Sequence, residues 1–221
     1  MKILLRNIVA YTYKPTLEKY LSRTRMYKFE DIKLEIPPQV FHPGFFFSTR
    51  FLLDYIKTIP IQGKQFLEIG AGSGLISFIA AKSGAFVTAT DINPVAVDYL
   101  KKNSIKNELT VSVYQSDLFS QIPSRKFDLI AINPPFYKKD PVKIKDYSWY
   151  CGSNGEYFQS LFNDLGKYIH RHTKVFMVLF EGCDINMIRE FAGCNGFHMV
   201  CVSQRKNWLE TLFIYKINLQ E

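Results

Sequence analysis

No run of apolar residues in this 221-residue chain approaches the roughly 20 needed to cross a bilayer. Near the start, Ile3-Leu4-Leu5 is cut by Arg6-Asn7 before a secretory core can form, so a cytoplasmic protein without membrane contact is expected. Cysteine is scarce: Cys151, Cys183, Cys194 and Cys201 form no Cys-x-x-Cys pair and no zinc-ligand spacing, which fits reduced, mostly buried thiols. Histidine is as thinly spread (His42, His170, His172, His198), and His170-Arg171-His172 reads as a solvated cluster near a helix end. A metal centre is therefore not expected. Repeats, low-complexity tracts and uninterrupted basic runs are missing as well. Yet 28 Lys+Arg outnumber 20 Asp+Glu and leave a net charge of +8, which favours an acidic partner such as RNA or a ribosomal surface.

What the chain does have is apolar residues, 47% of the total, enough for a sizeable core in one domain with a small extension. Residues 1–36 read as an N-terminal extension, with Lys14, Lys19, Arg23, Arg25 and Lys28 among aromatics and a short amphipathic helix over Pro15–Leu21. It reads either as a substrate-side cap or as a packed cap whose charges face water. Pro37-Pro38 then breaks the chain, and 37–221 forms the main domain. Phe41, Phe45, Phe46 and Phe47 are too many for free exposure and either cover the core, the first expectation for Phe45 to Phe47, or form a wall of a pocket, ahead of a helix over Arg50–Ile56 capped by Ser48 or Thr49.

Gln65–Ile69 reads as a buried strand, followed by the turn Gly70-Ala71-Gly72-Ser73-Gly74 and a helix over Leu75–Lys82. Glycines let backbone approach a ligand closely, and a new helix offers free N–H groups. The spacing is not that of dinucleotide-binding turns, which disfavours NAD. A second strand, Phe86–Thr90, ends at Asp91-Ile92, 21 residues after Gly70, where a carboxylate can accept both hydrogen bonds of a ribose diol. Asn93-Pro94 starts the next helix. A third strand, Leu109–Val113, leads to Asp117-Leu118, whose carboxylate and N–H suit an adenine edge.

The fourth strand, Phe127–Ile132, must stop at Asn133 because Pro134 and Pro135 can neither continue a ladder nor start a helix. The Asn133 amide oxygen and the Pro134 carbonyl become two restricted acceptors suited to a planar NH2 group, with Phe136 placed to stack on its π face. Further on, a helix is expected from about Glu156 to His170, a strand over Lys174–Phe180, a helix from Asp184 to about Asn195, and strands over Phe197–Val202 and Leu209–Tyr215. The last two, joined without a helix, should be antiparallel. The expected fold is a doubly wound α/β protein with a seven-stranded, mostly parallel sheet closed by an antiparallel C-terminal hairpin.

Glu68-Ile69-Gly70-Ala71-Gly72-Ser73-Gly74, Asp91, Asp117-Leu118 and Asn133-Pro134-Pro135-Phe136, in this order, resemble class I S-adenosylmethionine-dependent methyltransferases over roughly residues 40–217. Thr49 ahead of Asp54, Trp149-x-x-Gly152-x-Asn154-Gly155 and Glu210-Thr211-Leu212 are similar to the release-factor glutamine N5-methyltransferase branch of the small-domain type. The resemblance implies that Thr49, Glu68, Gly70, Ala71, Gly72, Gly74, Asp91, Ile92, Asp117, Leu118 and Asn133 hold S-adenosylmethionine. It places Asn133, Pro134 and Phe136 at the target nitrogen. It implies a macromolecular substrate, first a protein glutamine amide and alternatively an adenine N6 of RNA or DNA, since adenine enzymes share the loop and tolerate Phe136.

Overall fold

The computed structural model describes residues 19–208 and 210–220; residues 1–18, Leu209 and Glu221, and with them most of the helix expected over Pro15–Leu21, lie outside the described residues. The stretch expected only as a cap contains an antiparallel hairpin of β1 (Arg25–Phe29) and β2 (Ile32–Ile36). Its signal was in the alternation Ile32-Lys33-Leu34-Glu35-Ile36: the isoleucines and Leu34 are buried while Lys33 and Glu35 face outward. The edge of β2 is closed by side chains rather than by another strand. Asn107 and Asn103 accept from the N–H groups of Lys33 (2.8 Å) and Glu35 (2.9 Å) and donate back to the same residues' carbonyls.

Helix α1 (Phe47–Ile56) begins after Phe46, which is extended and has no side-chain cap; Ser48 and Thr49, expected as caps, lie inside the helix and are buried. The entry is fixed instead by rings, with Phe46 stacked on Phe41 at 4.2 Å and edge-on to Trp149 at 5.0 Å. Phe47, expected to cover the core, is 52% exposed. β3 (Gln65–Ile69), α2 (Leu75–Lys82), β4 (Phe86–Asp91), α3 (Pro94–Lys106), β5 (Val111–Gln115) and β6 (Phe127–Ile132) follow in order. β5 starts two residues later than expected, and a turn rather than a helix connects it to β6.

Then come α4 (Glu156–Leu165), β7 (Ile169–Phe180), α5 (Ile185–Cys194), β8 (Phe197–Lys206) and β9 (Thr211–Leu219). The helix expected to reach His170 ends five residues earlier, and His170-Arg171-His172 lies in β7 rather than at a helix end. Thr173 fixes the start of that strand by donating from Oγ1 to the Phe127 carbonyl at 2.6 Å.

The seven strands β3 to β9 run in the order β5-β4-β3-β6-β7-β9-β8, parallel from β5 to β7 and antiparallel where β9 meets both β7 and β8. Alternation along each inner strand feeds two layers of core. Phe66, Leu129, Ala131, Phe176 and Val178 pack with α1, α2 and α3, while Leu67, Ile130, Ile132, Val175 and Met177 pack with α4 and α5. Strand order reverses beside β3: the chain runs outward through β4 and β5, then returns to lay β6 on the other side of β3. The carboxyl ends of β3 and β6 thus flank a crevice, the usual ligand position in open α/β sheets.

Gly74 locks the turn that forms one wall of that crevice. It stands at φ 79° ahead of α2, and a methyl there would lie 2.4 Å from Leu100 Cδ2 and 2.6 Å from Phe78 Cε2. Gly74→Ala is expected to destabilise the fold by about 3 kcal/mol, from left-handed backbone strain plus overpacking. Denaturant unfolding should show a lower midpoint with unchanged slope.

Candidate active site

The crevice widens into a cavity of about 970 Å³, its open mouth included, between the turn after β3 and the Asn-Pro-Pro-Phe loop after β6. It is lined by Thr49, Glu68, Gly70, Ala71, Gly72, Asp91, Ile92, Asp117, Leu118, Asn133, Pro134 and Phe136. Of the site residues read from the sequence, Gly74 alone is not in the lining; it serves packing instead.

Glu68, Asp91 and Asn133 are positioned at or beside strand ends, and Thr49 by α1. Asp91 closes β4 with both oxygens engaged, Oδ2 accepting from Gly72 N–H (2.8 Å) and Oδ1 from Asn93 N–H (2.9 Å). A carboxylate has further lone pairs, so these bonds fix its orientation while leaving capacity for a diol. Gly72 meets this bond at φ 53°, a conformation costly for residues with a Cβ. Asn93 caps α3 by accepting from Val95 N–H at 3.0 Å, and its NH2 donates to the Gln39 carbonyl. Glu68, buried beneath the turn, accepts at Oε2 from the N–H (2.8 Å) and hydroxyl (2.5 Å) of Ser77. It thereby ties the end of β3 to the first turns of α2.

Asn133 is held at one end only. Its Nδ2 donates to Thr49 Oγ1 at 3.1 Å, while Oδ1 is buried and has no hydrogen-bond partner among the described residues. A buried unpaired acceptor costs about 1–3 kcal/mol, so this atom is where a ligand donor is most favoured. Thr49, placed by resemblance at the cofactor, lines the cavity and also fixes the asparagine. Phe136 forms the next part of the wall, packed on Phe180 at 5.2 Å between ring centres.

Several lining residues escaped the sequence reading. Tyr157 lies in the first turn of α4, where no motif marks it; burial first, then Asp91 and Asp117, push its phenol well above the usual range. Ile144 and Tyr147 come from a short 3-10 helix, Ile144–Ser148, whose return to the cavity is a tertiary event without a local signal, while Phe41 takes the pocket-wall place left open for the phenylalanine loop.

Among the described residues the lining contains the carboxyl groups of Glu68, Asp91 and Asp117 and no lysine, arginine or histidine; Glu68, held up at about 8, adds little negative charge at neutral pH. A pyrophosphate would be repelled here, whereas a nucleoside carrying positive charge is attracted. With acceptors for a diol at Asp91 and for an amino group at Asp117, the residues fit S-adenosylmethionine, whose sulfur and amine are cationic. Burial holds the Glu68 carboxyl up at about 8, with Asp91 adding to the rise. Burial likewise raises Asp91, against the two N–H groups it accepts.

Sheet order and cavity together define the class, a Rossmann-like methyltransferase. The model of the methyltransferase small domain matches residues 32–147, just over half of the chain, and the chain belongs to that family. A Methanocaldococcus jannaschii protein provisionally named a protein N5-glutamine methyltransferase is 36% identical over 129 residues, 58% of this chain and 63% of its own length. Ribosomal RNA small subunit methyltransferase C of Haemophilus influenzae is 38% identical over 118 residues, 49% of this chain and 35% of its own. This chain thus spans less than two thirds of these curated relatives.

Among solved structures, the T. thermophilus 16S rRNA N2 G1207 methyltransferase in complex with AdoMet and guanosine matches with a TM-score of 0.64 at 19% identity, covering 90% of this chain and 50% of that one. The methyltransferase complex of E. cuniculi described as methylating the eRF1 translation termination factor matches with a TM-score of 0.62 at 19% identity, covering 82% and 99%. At such identities the likeness is one of fold. No helix among the described residues is long and apolar enough to cross a membrane, and no group of three or more metal-ligating side chains occurs among them.

The buried Glu68 gives a pH signature. In the unfolded chain its carboxyl ionises near 4.5, in the folded protein near 8, so the wild type is progressively penalised as pH rises between those values. Glu68→Gln removes the ionisable group. Its unfolding free energy minus that of wild type should therefore increase from pH 5 to pH 8, the variant gaining stability relative to wild type, as measured by urea unfolding; a pH-independent difference would contradict the assignment.

Proposed function

We propose that this chain is an S-adenosylmethionine-dependent N-methyltransferase acting on a planar NH2 group of a macromolecule. The observation that carries the reading is the Oδ1 atom of Asn133, buried and without a partner among the described residues, on a side chain that lines the same cavity as the acidic strand ends. S-adenosylmethionine, when bound, supplies an electrophilic methyl carbon on a positively charged sulfur.

The chain's own residues supply alignment. Thr49 keeps the Asn133 NH2 turned toward α1, so that Oδ1 is presented to the cavity. There it can accept one N–H of the target, with the Pro134 carbonyl as the natural acceptor for the other. An amide or arylamine nitrogen is a weak nucleophile because its lone pair is delocalised. Two acceptors on its hydrogens stabilise the positive charge that develops on nitrogen as it attacks, and no general base is needed to start the reaction. Phe136 restricts the plane of the group, and the walls formed by Phe41 and Trp149 keep water from the mouth.

Both a glutamine side chain and a nucleobase amine present such a group. The glutamine reading draws support from the Methanocaldococcus jannaschii relative, the nucleobase reading from the Haemophilus influenzae one.

Asn133→Ala is expected to lower methyl-transfer turnover by about 1,000-fold while leaving cofactor affinity, read by calorimetry, within about twofold. Thr49→Val should cost turnover about 100-fold through a misaligned amide, and Thr49→Ser, which keeps the acceptor, should recover most of it. Near-normal turnover in Asn133→Ala would remove the mechanism. Asp91→Ala should act in the opposite sense, weakening cofactor binding first.

A further inference from the structure

The cavity is acid-lined, but its rim is basic and aromatic. On one side, the segment following Phe136 carries Lys139, Lys143 and Lys145, all exposed, and the last two flank Ile144 of the cavity lining. Asp146 beside them accepts the backbone N–H groups of Val142 (3.1 Å) and Lys143 (2.9 Å) at one oxygen. On the other side, residues 19–25 contain Lys19, Arg23 and Arg25 and no carboxylate, and Tyr20 sets them beside Phe45.

Aromatic rings run between the two sides. Arg25 lies 3.8 Å over the Tyr20 ring, and Tyr20 meets Phe45 edge-on at 5.6 Å. Phe46, next in the chain, stacks on Phe41 at 4.2 Å, and both rings meet Trp149, at 5.0 and 5.3 Å. Phe41 and Trp149 line the cavity itself, so the row leads from a basic surface to the uncommitted oxygen of Asn133.

We infer that this rim receives a single-stranded nucleic acid, its phosphates on the two basic sides and its bases on the ring row, with the base bearing the target NH2 entering the cavity. The inference rests on the methyl-transfer reading above. Positive charge beside aromatic rings, here an exposed Tyr20 and the half-buried Phe45, Phe46, Phe41 and Trp149, is the pattern that binds single strands, because every base has a stacking face and every nucleotide a phosphate. A glutamine-bearing protein loop needs neither. A base already unpaired also enters such a cavity without the cost of extrusion from a duplex.

The test uses the full chain, a labelled single-stranded RNA of about 20 nucleotides, and Lys143→Ala/Lys145→Ala, two exposed positions whose replacement leaves the core untouched. Fluorescence anisotropy over a salt series should show log affinity falling linearly with log salt for wild type. The double variant should lose about 1.4 from that slope, about 0.7 per phosphate contact. Equilibrium dialysis with labelled S-adenosylmethionine should show equal retention by both proteins. Retention of the cofactor without salt-dependent RNA binding, or an unchanged slope in the variant, would overturn the inference while sparing the enzyme reading. Methylation of a protein glutamine that RNA does not inhibit would overturn it equally. Failure of the wild type to retain the cofactor would instead overturn the enzyme reading on which it rests.

Discussion

One hydrogen bond organises this site: the Asn133 amide donates to Thr49 Oγ1 at 3.1 Å, across 84 residues of sequence. It couples α1 to the end of β6, two elements that meet only because the sheet reverses direction beside β3. Without the threonine hydroxyl, the amide could rotate and its oxygen would lose a defined direction. With it, the oxygen is buried and unpaired, a state that persists because Pro134 and Pro135 hold the loop and the surrounding core offers no donor. A fold that leaves one acceptor unsatisfied in its central crevice has a place for a donor from elsewhere.

Electrostatics divide the molecule into an acidic interior and a basic exterior. The net charge of +8 does not reach the cavity, whose lining among the described residues holds Asp91 and Asp117 and no cation. On the proposed reading, that separation serves two charged ligands of opposite sign: a cationic nucleoside inside, beside Asp91, and an anionic polymer at the rim. The glycine turn contributes to the first of these: Gly72 brings its N–H onto Asp91, and Glu68 beneath it clamps the helix start through Ser77.

The sheet was legible because its inner strands are buried on both faces and bounded by glycine or proline, so Phe66 to Ile69 and Leu129 to Ile132 announce themselves as short apolar runs. Asn133 was legible for a different reason, since two consecutive prolines dictate where β6 ends. The β1–β2 hairpin was overlooked although Ile32, Leu34 and Ile36 alternate with charged residues, and its edge is closed by Asn103 and Asn107, distant residues with no local signature. Helix α1 lacks a side-chain cap, so a rule based on Ser48 or Thr49 misplaced its start; the stacking of Phe46 on Phe41 decides it instead. Tyr157 was hidden by its position on an amphipathic helix, where a ring turned toward a cavity cannot be told from one turned toward core. The partnership of Thr49 with Asn133 is likewise invisible before the chain is folded.

The central claim is that Asn133 presents an acceptor to a planar NH2 group. Its most direct test is the position of the methyl group in product made by the purified protein with isotopically labelled S-adenosylmethionine, located by mass spectrometry after digestion to nucleosides or amino acids. The account predicts the label on an exocyclic amine or side-chain amide nitrogen. A label on a ring nitrogen, a carbon or a ribose oxygen would contradict it.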